Sequence, residues 1–441
     1  MTDNNTITRN VRTGKRRNPW FWIPTLYFAQ GLPYVAVMTL SVIMYKRLGI
    51  SNTDIALYTG WLYLPWVIKP FWSPFVDIIG TKRRWTIAMQ WLIAVGFAGI
   101  AFTLPTSLFF QLTLAIFWLV AFTSATHDIA ADGYYMLALT EHEQSLYVGI
   151  RSTFYRIATV MSQGVLVIVA GQLEDSTGNI PLSWAIVFGI MSALFLGFAI
   201  YHSWALPKVE KPTPEPQHKG EIWREFINVF VAFFRKKQVV TAIIFMLLYR
   251  LPEAQLVKLI NPFLLDPVSA GGLGLSTSEV GIVYGTVGII GLTIGGIIGG
   301  IVAAIGGLRK WLKPMAWSMS LTCLTFVYLS FATEPSLLSI IICVFIEQFG
   351  YGFGFTAYML YLIYFSEGKH RPAHYSICTG FMALGMMLPG MAAGWIQETI
   401  GYRSFFIWTM LCCVATISVT YLLKVDPAFG KKERVAESAD S

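Results

Sequence analysis

Charged residues are scarce in this chain, since Asp, Glu, Lys and Arg make up only 13% of its 441 residues. Soluble domains carry about 25% charged residues, so this composition argues against two or three soluble domains. Hydrophobic residues make up 55%, and the mean hydropathy is +0.59. Apolar runs recur along the whole length and reach the roughly 20 residues that cross a bilayer. The composition predicts a polytopic α-helical membrane protein.

Features of several other protein classes are also missing. The five cysteines lie inside apolar runs, neither paired in loops nor spaced as metal ligands, so we expect no disulfide framework and no metal site. Basic residues are scattered between the runs, and we expect no nucleic-acid binding. No catalytic constellation is evident, so we expect neither enzyme activity nor a cofactor. The basic N-terminal segment lacks the pattern of a cleavable signal peptide.

The apolar runs predict twelve membrane spans. They are 20–45, 54–76, 85–104, 107–139, 146–171, 181–204, 239–265, 278–305, 311–332, 336–365, 374–397 and 404–423. This number suits an all-α membrane protein built from two pseudo-symmetric halves of six helices each.

The distribution of Lys and Arg predicts the orientation. With the N-terminus in the cytoplasm, 24 of the 32 basic residues fall in cytoplasmic segments and 3 in outer loops. An odd number of spans would put the basic C-terminal tail outside, so the asymmetry also favours an even number. We therefore expect both termini in the cytoplasm.

The spans and loops predict five regions. Residues 1–19 and 424–441 are cytoplasmic tails, 20–204 and 239–423 are the two halves, and 205–238 is a cytoplasmic linker. The linker begins rich in proline and continues with apolar residues at helical spacing. We interpret the second part as an amphipathic helix on the inner membrane surface.

Two loops repeat between the halves. Gly80 is followed by Lys82 and Arg83, and Gly307 by Arg309 and Lys310. An internal repeat at equivalent positions is typical of transporters. The pattern resembles the loop motif of the major facilitator superfamily, in which an acidic residue and basic residues control a gate. In this chain the acidic residue is Asp77 in the first copy, and Ala304 replaces it in the second. The resemblance implies gating by Asp77, Lys82, Arg83, Arg309 and Lys310.

Ionisable residues inside the spans are candidate functional groups, because charge is costly in the membrane. Arg156, Arg250 and Glu347 lie about 15 Å deep at 1.5 Å per residue, and Glu253 follows Arg250 by one turn. Structural alternatives remain open for several of them. Arg250 could pair with Glu253, Arg156 could pair with Asp128, and Lys69 could reach the inner surface.

Other polar residues complete the predicted cavity. The imidazole of a histidine titrates near neutral pH, so His127 is either a functional group or a hydrogen-bonding residue of the helix packing. Tyr27, Gln30 and Tyr34 recur at helical spacing in the first span, and Tyr358 and Tyr361 lie in the tenth. Aromatic faces beside amides and hydroxyls suit sugar rings.

Several segments together resemble the AmpG muropeptide permease family, which is related to acetyl-CoA transporters within the major facilitator superfamily. They are Gly31-Leu32-Pro33, the stretch from Leu64 to Asp77 with its Lys-x-x-Trp-x-Pro-x-x-Asp pattern, Asp128-Ile-Ala-Ala-Asp132-Gly133-Tyr134, Tyr155-Arg156, Leu248-Tyr249-Arg250-Leu-Pro-Glu253-Ala, Pro262-Phe-Leu-Leu-Asp266 and Ala373-His374-Tyr375-Ser376. The family has Gly-Asp-Ala where this chain has Pro252-Glu253-Ala254, and it has Gln at the positions of His127 and His374.

The resemblance implies proton-coupled import of anhydro-muropeptides or related amino sugars across a bacterial inner membrane, for peptidoglycan recycling. It places Lys69, Asp128, Arg156 and Glu253 in the transport path. The proton-coupling candidates are Glu253, Asp128 and Glu347. The substrate-binding candidates are Tyr27, Gln30, Tyr34, Lys69, His127, Arg156, Arg250, Gln348, Tyr358 and Tyr361.

We expect a monomeric symporter whose partners are a small-molecule substrate, protons and the lipid bilayer. The alternatives are a transporter of acetyl-CoA or another anionic metabolite, and a non-transporting membrane receptor. A receptor should carry a sizeable soluble output domain, which the sequence does not contain.

Overall fold

A computed structural model describes residues 17–209, 219–368, 370–427 and 429, in which every regular element is a helix. In chain order the helices are α1 (Pro19–Arg47), α2 (Asn52–Trp61), α3 (Leu64–Ile78), α4 (Lys82–Thr103), α5 (Phe109–Ala138), α6 (Glu141–Thr177), α7 (Ile180–Ala205), α8 (Lys219–Phe234), α9 (Val239–Leu265), α10 (Thr277–Gly306), α11 (Leu308–Phe331), α12 (Leu337–Ser366) and α13 (Arg371–Leu422). The expected all-helical architecture is confirmed.

Ten of the described helices are long and apolar enough to cross a membrane, all except α2, α3 and α8. The predicted second span is divided, because Leu62 and Tyr63 separate α2 from α3. The last two predicted spans both lie in α13, whose 52 residues include Gly401 with φ 75° and ψ 165°. Two helices therefore meet at Gly401, and the number twelve stays a prediction.

Helix α8 lies in the segment where the linker helix is predicted. Val229 and Phe233 are buried, whereas Ile227 and Phe234 are more than half exposed. The Phe233 ring contacts Phe365 at the end of α12, with ring centres 5.6 Å apart. Helix α8 therefore packs one apolar side against the bundle and leaves other apolar side chains uncovered.

The long helices pack as two groups. Apart from α2 and α3, helices α1 to α7 contact mainly one another, and α9 to α13 do the same. The groups meet where α2 and α3 pack on α13 and where the segments 161–165 and 281–288 cross. We call the end of the bundle where α1 begins at Pro19 the proximal end, and the end where α1 finishes at Arg47 the distal end.

Glycines allow α10 and α12 to pack backbone to backbone. A Cβ atom at Gly295 would collide with the carbonyl oxygen of Phe349, and one at Gly352 would collide with that of Leu292. Small residues at such positions let membrane helices approach closely. At Gly300, on the same helix as Gly295, a Cβ atom would meet nothing within 4 Å.

We expect Gly295→Val to lower the thermal unfolding temperature in detergent, because the side chain must push α12 away at a cost of about 1–3 kcal/mol. Gly300→Val is the matched control on the same helix and should unfold near the wild-type temperature. Equal unfolding temperatures for the two variants would contradict the close packing of α10 and α12.

Candidate functional site

A cavity of about 800 Å³ lies between the two groups of helices, toward the proximal end. Helices α1 and α6 form one wall, and α10 and α12 form the other. Its polar and charged lining residues are Tyr27, Gln30, Arg151, Ser152, Tyr155, Arg156, Thr159, Thr293, Tyr351 and Thr356. The volume lies within the roughly 300–1,000 Å³ of small-molecule sites.

The distal end is closed by polar contacts between the two groups. The Lys46 ammonium lies 2.6 Å from a carboxylate oxygen of Asp266. The Asn52 amide donates to the Tyr402 hydroxyl at 3.0 Å, and the Thr53 hydroxyl donates to Glu398. The cavity is therefore closed on its distal side by contacts between the two groups.

Arg156 bridges the two walls of the cavity. Its Nη1 donates to the Thr293 hydroxyl at 3.1 Å, and a Cβ atom at Gly296 would lie 3.7 Å from its Nη2. Arg156 forms no ion pair within the described part of the chain. The alternative in which Arg156 pairs with Asp128 is therefore wrong, and the guanidinium keeps hydrogen-bonding capacity for a ligand.

Arg250 lies behind the cavity wall, at the break in α9. It separates two helical segments, Val239–Leu248 and Leu251–Leu265, and Pro252 in the next turn cannot donate a backbone hydrogen bond. Its guanidinium donates to the Tyr351 hydroxyl and lies 4.9 Å from the centre of the Phe355 ring. Tyr351 and Phe355 both line the cavity, so one layer of aromatic side chains separates Arg250 from it.

Glu253 is 1% exposed, and neither of its carboxyl oxygens has a hydrogen-bond partner. It makes no ion-pair contact with Arg250 among the described residues, although the two charges lie near enough to interact. The charge of Glu347 lies near enough to interact with that of Glu253. Glu347 is equally buried and accepts a hydrogen bond from the Gln348 amide at 2.8 Å. The second group of helices therefore contains two buried carboxyl groups.

Two tyrosines of α12 are packed inside the second group of helices. The Tyr358 hydroxyl donates to the Met246 carbonyl at 2.7 Å, and its ring stacks on Tyr249. The Tyr361 ring contacts Phe245 at 4.6 Å between ring centres. Both have partners in α9, and as substrate contacts they stay predictions.

The first group of helices holds its own ion pair. Lys69 Nζ lies 3.8 Å from Asp128, so the alternative in which it reaches the inner surface does not hold. Asp128 also accepts a hydrogen bond from the Trp66 indole at 3.1 Å. Tyr34 packs edge-on against Trp66 with ring centres 5.2 Å apart. These contacts join α1, α3 and α5 near the group boundary.

His127 is fully buried within the first group. Its Nε2 lies 3.0 Å from the Gln90 amide, which also contacts His202 at 3.0 Å. His202 in turn lies 2.9 Å from the Thr25 hydroxyl. The histidine therefore takes part in helix packing through a chain of polar side chains, and its role in substrate binding stays a prediction.

The predicted gate residues lie at the proximal end. The side chain of Asp77 lies outside the described residues. Lys82 is buried with its methylene groups against Gly133, and Arg83 donates to the carbonyls of Leu206 at 2.8 Å and of Ser203. The exposed Arg309 and Lys310 lie in the first turn of α11, directly after the equivalent loop of the second group.

The aligned glycines of these two loops both have a positive φ. Gly80 has φ 75° and Gly307 has φ 78°. Residues with a side chain rarely adopt this left-handed region. The sequence repeat therefore corresponds to a shared local structure.

Sequence reasoning missed an ionic cluster at the cavity wall. Arg151 Nη2 lies 3.0 Å from Asp132, and its guanidinium lies over the Tyr27 ring at 4.5 Å. The Tyr27 hydroxyl donates to Asp132 at 3.2 Å. The sequence feature that could have indicated this cluster is the charge of Arg151 inside a predicted span.

The chain is similar to known transport proteins. The family profile described as Major Facilitator Superfamily matches residues 25–312 and 254–440. The anhydromuropeptide permease of Escherichia coli (strain K12) is 26% identical over 406 residues, covering 88% of this chain and 76% of that protein. These relatives support a multi-pass membrane transporter rather than an enzyme.

Solved structures show the same fold. A bacterial homologue of the human lysosomal transporter Spinster, inward-facing and unoccupied, matches with a TM-score of 0.67 at 18% identity, covering 91% of this chain and 95% of that chain. A D-xylose–proton symporter matches with a TM-score of 0.67 at 12% identity, covering 93% of this chain and 97% of that chain.

Proposed function

Because the chain belongs to the Major Facilitator Superfamily, we propose that it is a secondary active transporter that imports anhydro-muropeptides or related amino sugars. Import is coupled to protons and proceeds by alternating access. The name of the Escherichia coli relative, an anhydromuropeptide permease, supports this substrate class.

The observation that carries the proposal is the pair of unpaired guanidinium groups at the cavity. Arg156 lines the cavity, and Arg250 lies behind Tyr351 and Phe355. Neither forms an ion pair with a carboxylate of the described residues. Arginine binds carboxylates through charge-assisted hydrogen bonds, so these two residues suit the acidic groups of a muropeptide, while the aromatic lining suits its sugar ring.

The finer architecture that we propose has twelve spans in two halves of six. In this interpretation α2 and α3 together form the second span, and α13 forms the last two, which meet at Gly401. Residues 205–238 then connect the halves. The basic asymmetry supports cytoplasmic termini, which makes the proximal end cytoplasmic and the cavity accessible from inside a bacterial inner membrane.

In the proposed cycle, the two groups rock about the cavity while Glu253 carries the proton. Its burial without a partner in this state favours the neutral acid, because an unpaired charge is costly there. Asp128, already paired with Lys69, is the second candidate, and Glu347 is the third. Acetyl-CoA or another anionic metabolite is the alternative substrate.

Binding measurements test the substrate class. Thermal unfolding of the purified protein is followed with muropeptides, amino sugars and CoA esters, and an anhydro-muropeptide with a free carboxylate should raise the unfolding temperature most. Stabilisation by the CoA ester alone would favour the alternative substrate.

We expect Arg156→Ala to weaken binding of that muropeptide about 10- to 100-fold, since a hydrogen bond to a charged group contributes roughly 1.5–3 kcal/mol. Arg235→Ala removes an exposed arginine between α8 and α9 and serves as the control, with unchanged affinity. Thr293→Val keeps the guanidinium and should retain most of the affinity. Unchanged affinity in Arg156→Ala would make this arginine structural.

A further inference from the structure

Lys258 is a buried cation that the proposed cavity does not use. It is 2% exposed and lies in α9, on the distal side of Arg250. Its ammonium donates to the Thr59 hydroxyl at 2.9 Å and lies 5.2 Å from the centre of the Tyr63 ring. It forms no ion pair with any described residue. The ammonium therefore has three hydrogens to donate and one neutral acceptor.

Such a contact compensates the charge poorly. A buried ammonium is costly unless it is paired or well hydrogen-bonded. The Thr59 hydroxyl already donates to the Ile55 carbonyl at 2.6 Å, so a single lone-pair contact is what it offers Lys258. A purely structural contact at this place would be served as well by an uncharged side chain. An unpaired ionisable residue inside the membrane is by default a functional group.

The contact also crosses the boundary between the two groups of helices. Thr59 belongs to α2 in the first group, and Lys258 belongs to α9 in the second. Nearby, Lys46 and Asp266 tie the same two groups at the distal end. When the groups separate there, the ammonium loses Thr59 and becomes accessible from the distal side.

Tyr63 connects this cation with the proposed binding site. The Lys258 ammonium lies over its ring, and Tyr63 lies near enough to Arg250 for an electrostatic interaction. The two cationic residues are eight positions apart in α9, or about 12 Å along the axis of a regular helix. An extended substrate lying across Tyr63 can therefore reach both.

We propose that Lys258 is a second anion-binding site on the transport path, which holds a carboxylate of the substrate when the distal end is open. This inference rests on the proposed transport of acidic muropeptides. It specifies a substrate with at least two anionic groups, one for Arg250 and one for Lys258. When the distal end closes, Thr59 and Tyr63 take the place of the carboxylate beside Lys258. The substrate is thereby released toward the cavity.

The test compares two probes that differ in one charge. One is an anhydro-N-acetylmuramyl tripeptide with its terminal carboxylate free, and the other is the same compound with that group converted to the amide. Uptake from the distal side is measured in proteoliposomes. In the wild type, we expect amidation to raise the KM about tenfold, as for loss of one charge-assisted hydrogen bond.

Variants assign that difference to Lys258. Lys258→Met and Lys258→Gln should transport both probes with the same KM, whereas Lys258→Arg should still prefer the free acid. Thr59→Val removes the competing hydroxyl and keeps the charge, so it should prefer the free acid at least as strongly as the wild type. Lys237→Met is the control at an exposed lysine, and it should keep the wild-type preference.

Three results would overturn the assignment. If Lys258→Met still distinguishes the acid from the amide, the carboxylate binds elsewhere. If Thr59→Val loses the preference as Lys258→Met does, the lysine is only a contact between the helix groups. If the wild type transports neither probe, the proposed substrate itself is wrong, and the second anion site falls with it.

Discussion

Replacing Glu253 with glutamine is expected to abolish accumulation of substrate driven by a proton gradient. The carboxyl group is 1% exposed with two unpartnered oxygens, and glutamine preserves its shape while removing its ability to bind and release a proton. One proton that enters with the substrate supplies about 2.3 kcal/mol for each 100 mV of membrane potential. That free energy supports a roughly 50-fold ratio of substrate concentration inside to outside. The variant should lose this ratio.

The position of Glu253 suits both protonation states. Burial without a partner disfavours the carboxylate ion in this state. Glu253 also lies in the first turn of the segment Leu251–Leu265, where the helix dipole stabilises negative charge. Water reaching this turn from one side therefore suffices to let the proton leave.

Proteoliposomes with an imposed pH gradient and membrane potential provide the measurement. Exchange of labelled for unlabelled substrate without a gradient should persist in Glu253→Gln, because that reaction needs no net proton movement. Glu334→Gln, at an exposed glutamate of a distal loop, should accumulate substrate as the wild type does. Full accumulation by Glu253→Gln would exclude Glu253 as the proton carrier and direct attention to Asp128 and Glu347.

Sequence patterns predicted the membrane helices well, because burial in lipid imposes a long apolar run on each of them. The interruptions were harder to locate. The break at Leu62 and Tyr63 lies within an apolar run and carries no charge or glycine. Pro252 did signal the interruption at Arg250, because proline cannot donate the backbone hydrogen bond of a helix.

Partners of the buried charges could not be read from the sequence. The apolar runs placed Arg156 and Asp128 in consecutive spans. Arg156 nevertheless contacts Thr293 on the opposite side of the cavity. Asp128 instead lies near Lys69. The rotation of each helix about its axis decides between such partners, and it depends on packing between helices distant in sequence. For the same reason, the contact between Lys258 and Thr59 could not be predicted from the sequence.

We expect Asp266→Asn to open the distal end of the bundle. The Asp266 carboxylate lies 2.6 Å from the Lys46 ammonium. It accepts hydrogen bonds from the Tyr402 hydroxyl at 2.6 Å and from the Asn52 amide at 3.4 Å. It therefore joins the end of α1, the start of α2 and the last helix at one carboxylate. Asparagine keeps the size but loses the charge, which leaves Lys46 with the neutral Asn52 side chain as its partner.

The side chains of Lys46 and Asp266 are 15% and 13% exposed, so solvent screens the pair only in part. We expect the distal-closed state to lose about 1–2 kcal/mol relative to the open state, which is roughly a 5- to 30-fold change in the open population. A second cluster also holds the distal end closed and therefore limits the effect of Asp266→Asn. In it, the Glu174 carboxylate lies 2.9 Å from the Arg47 guanidinium and accepts a hydrogen bond from the Thr277 hydroxyl at 2.6 Å. Combining Asp266→Asn with Glu174→Gln should therefore open the distal end further than either change alone.

A cysteine introduced at Ala56 reports this opening. Ala56 is 1% exposed in α2 where that helix packs on α13, so a membrane-impermeant thiol reagent reaches it only when the distal end opens. The native cysteines described here are all buried, and the chain without the introduced cysteine gives the background rate. Asp266→Asn should raise the labelling rate by the same 5- to 30-fold factor. Asp54→Asn, which changes a half-buried carboxylate in the first turn of α2 that accepts a hydrogen bond from the Ser51 hydroxyl, should leave the rate unchanged. An equal rate in both variants would mean that Asp266 does not hold the distal end closed.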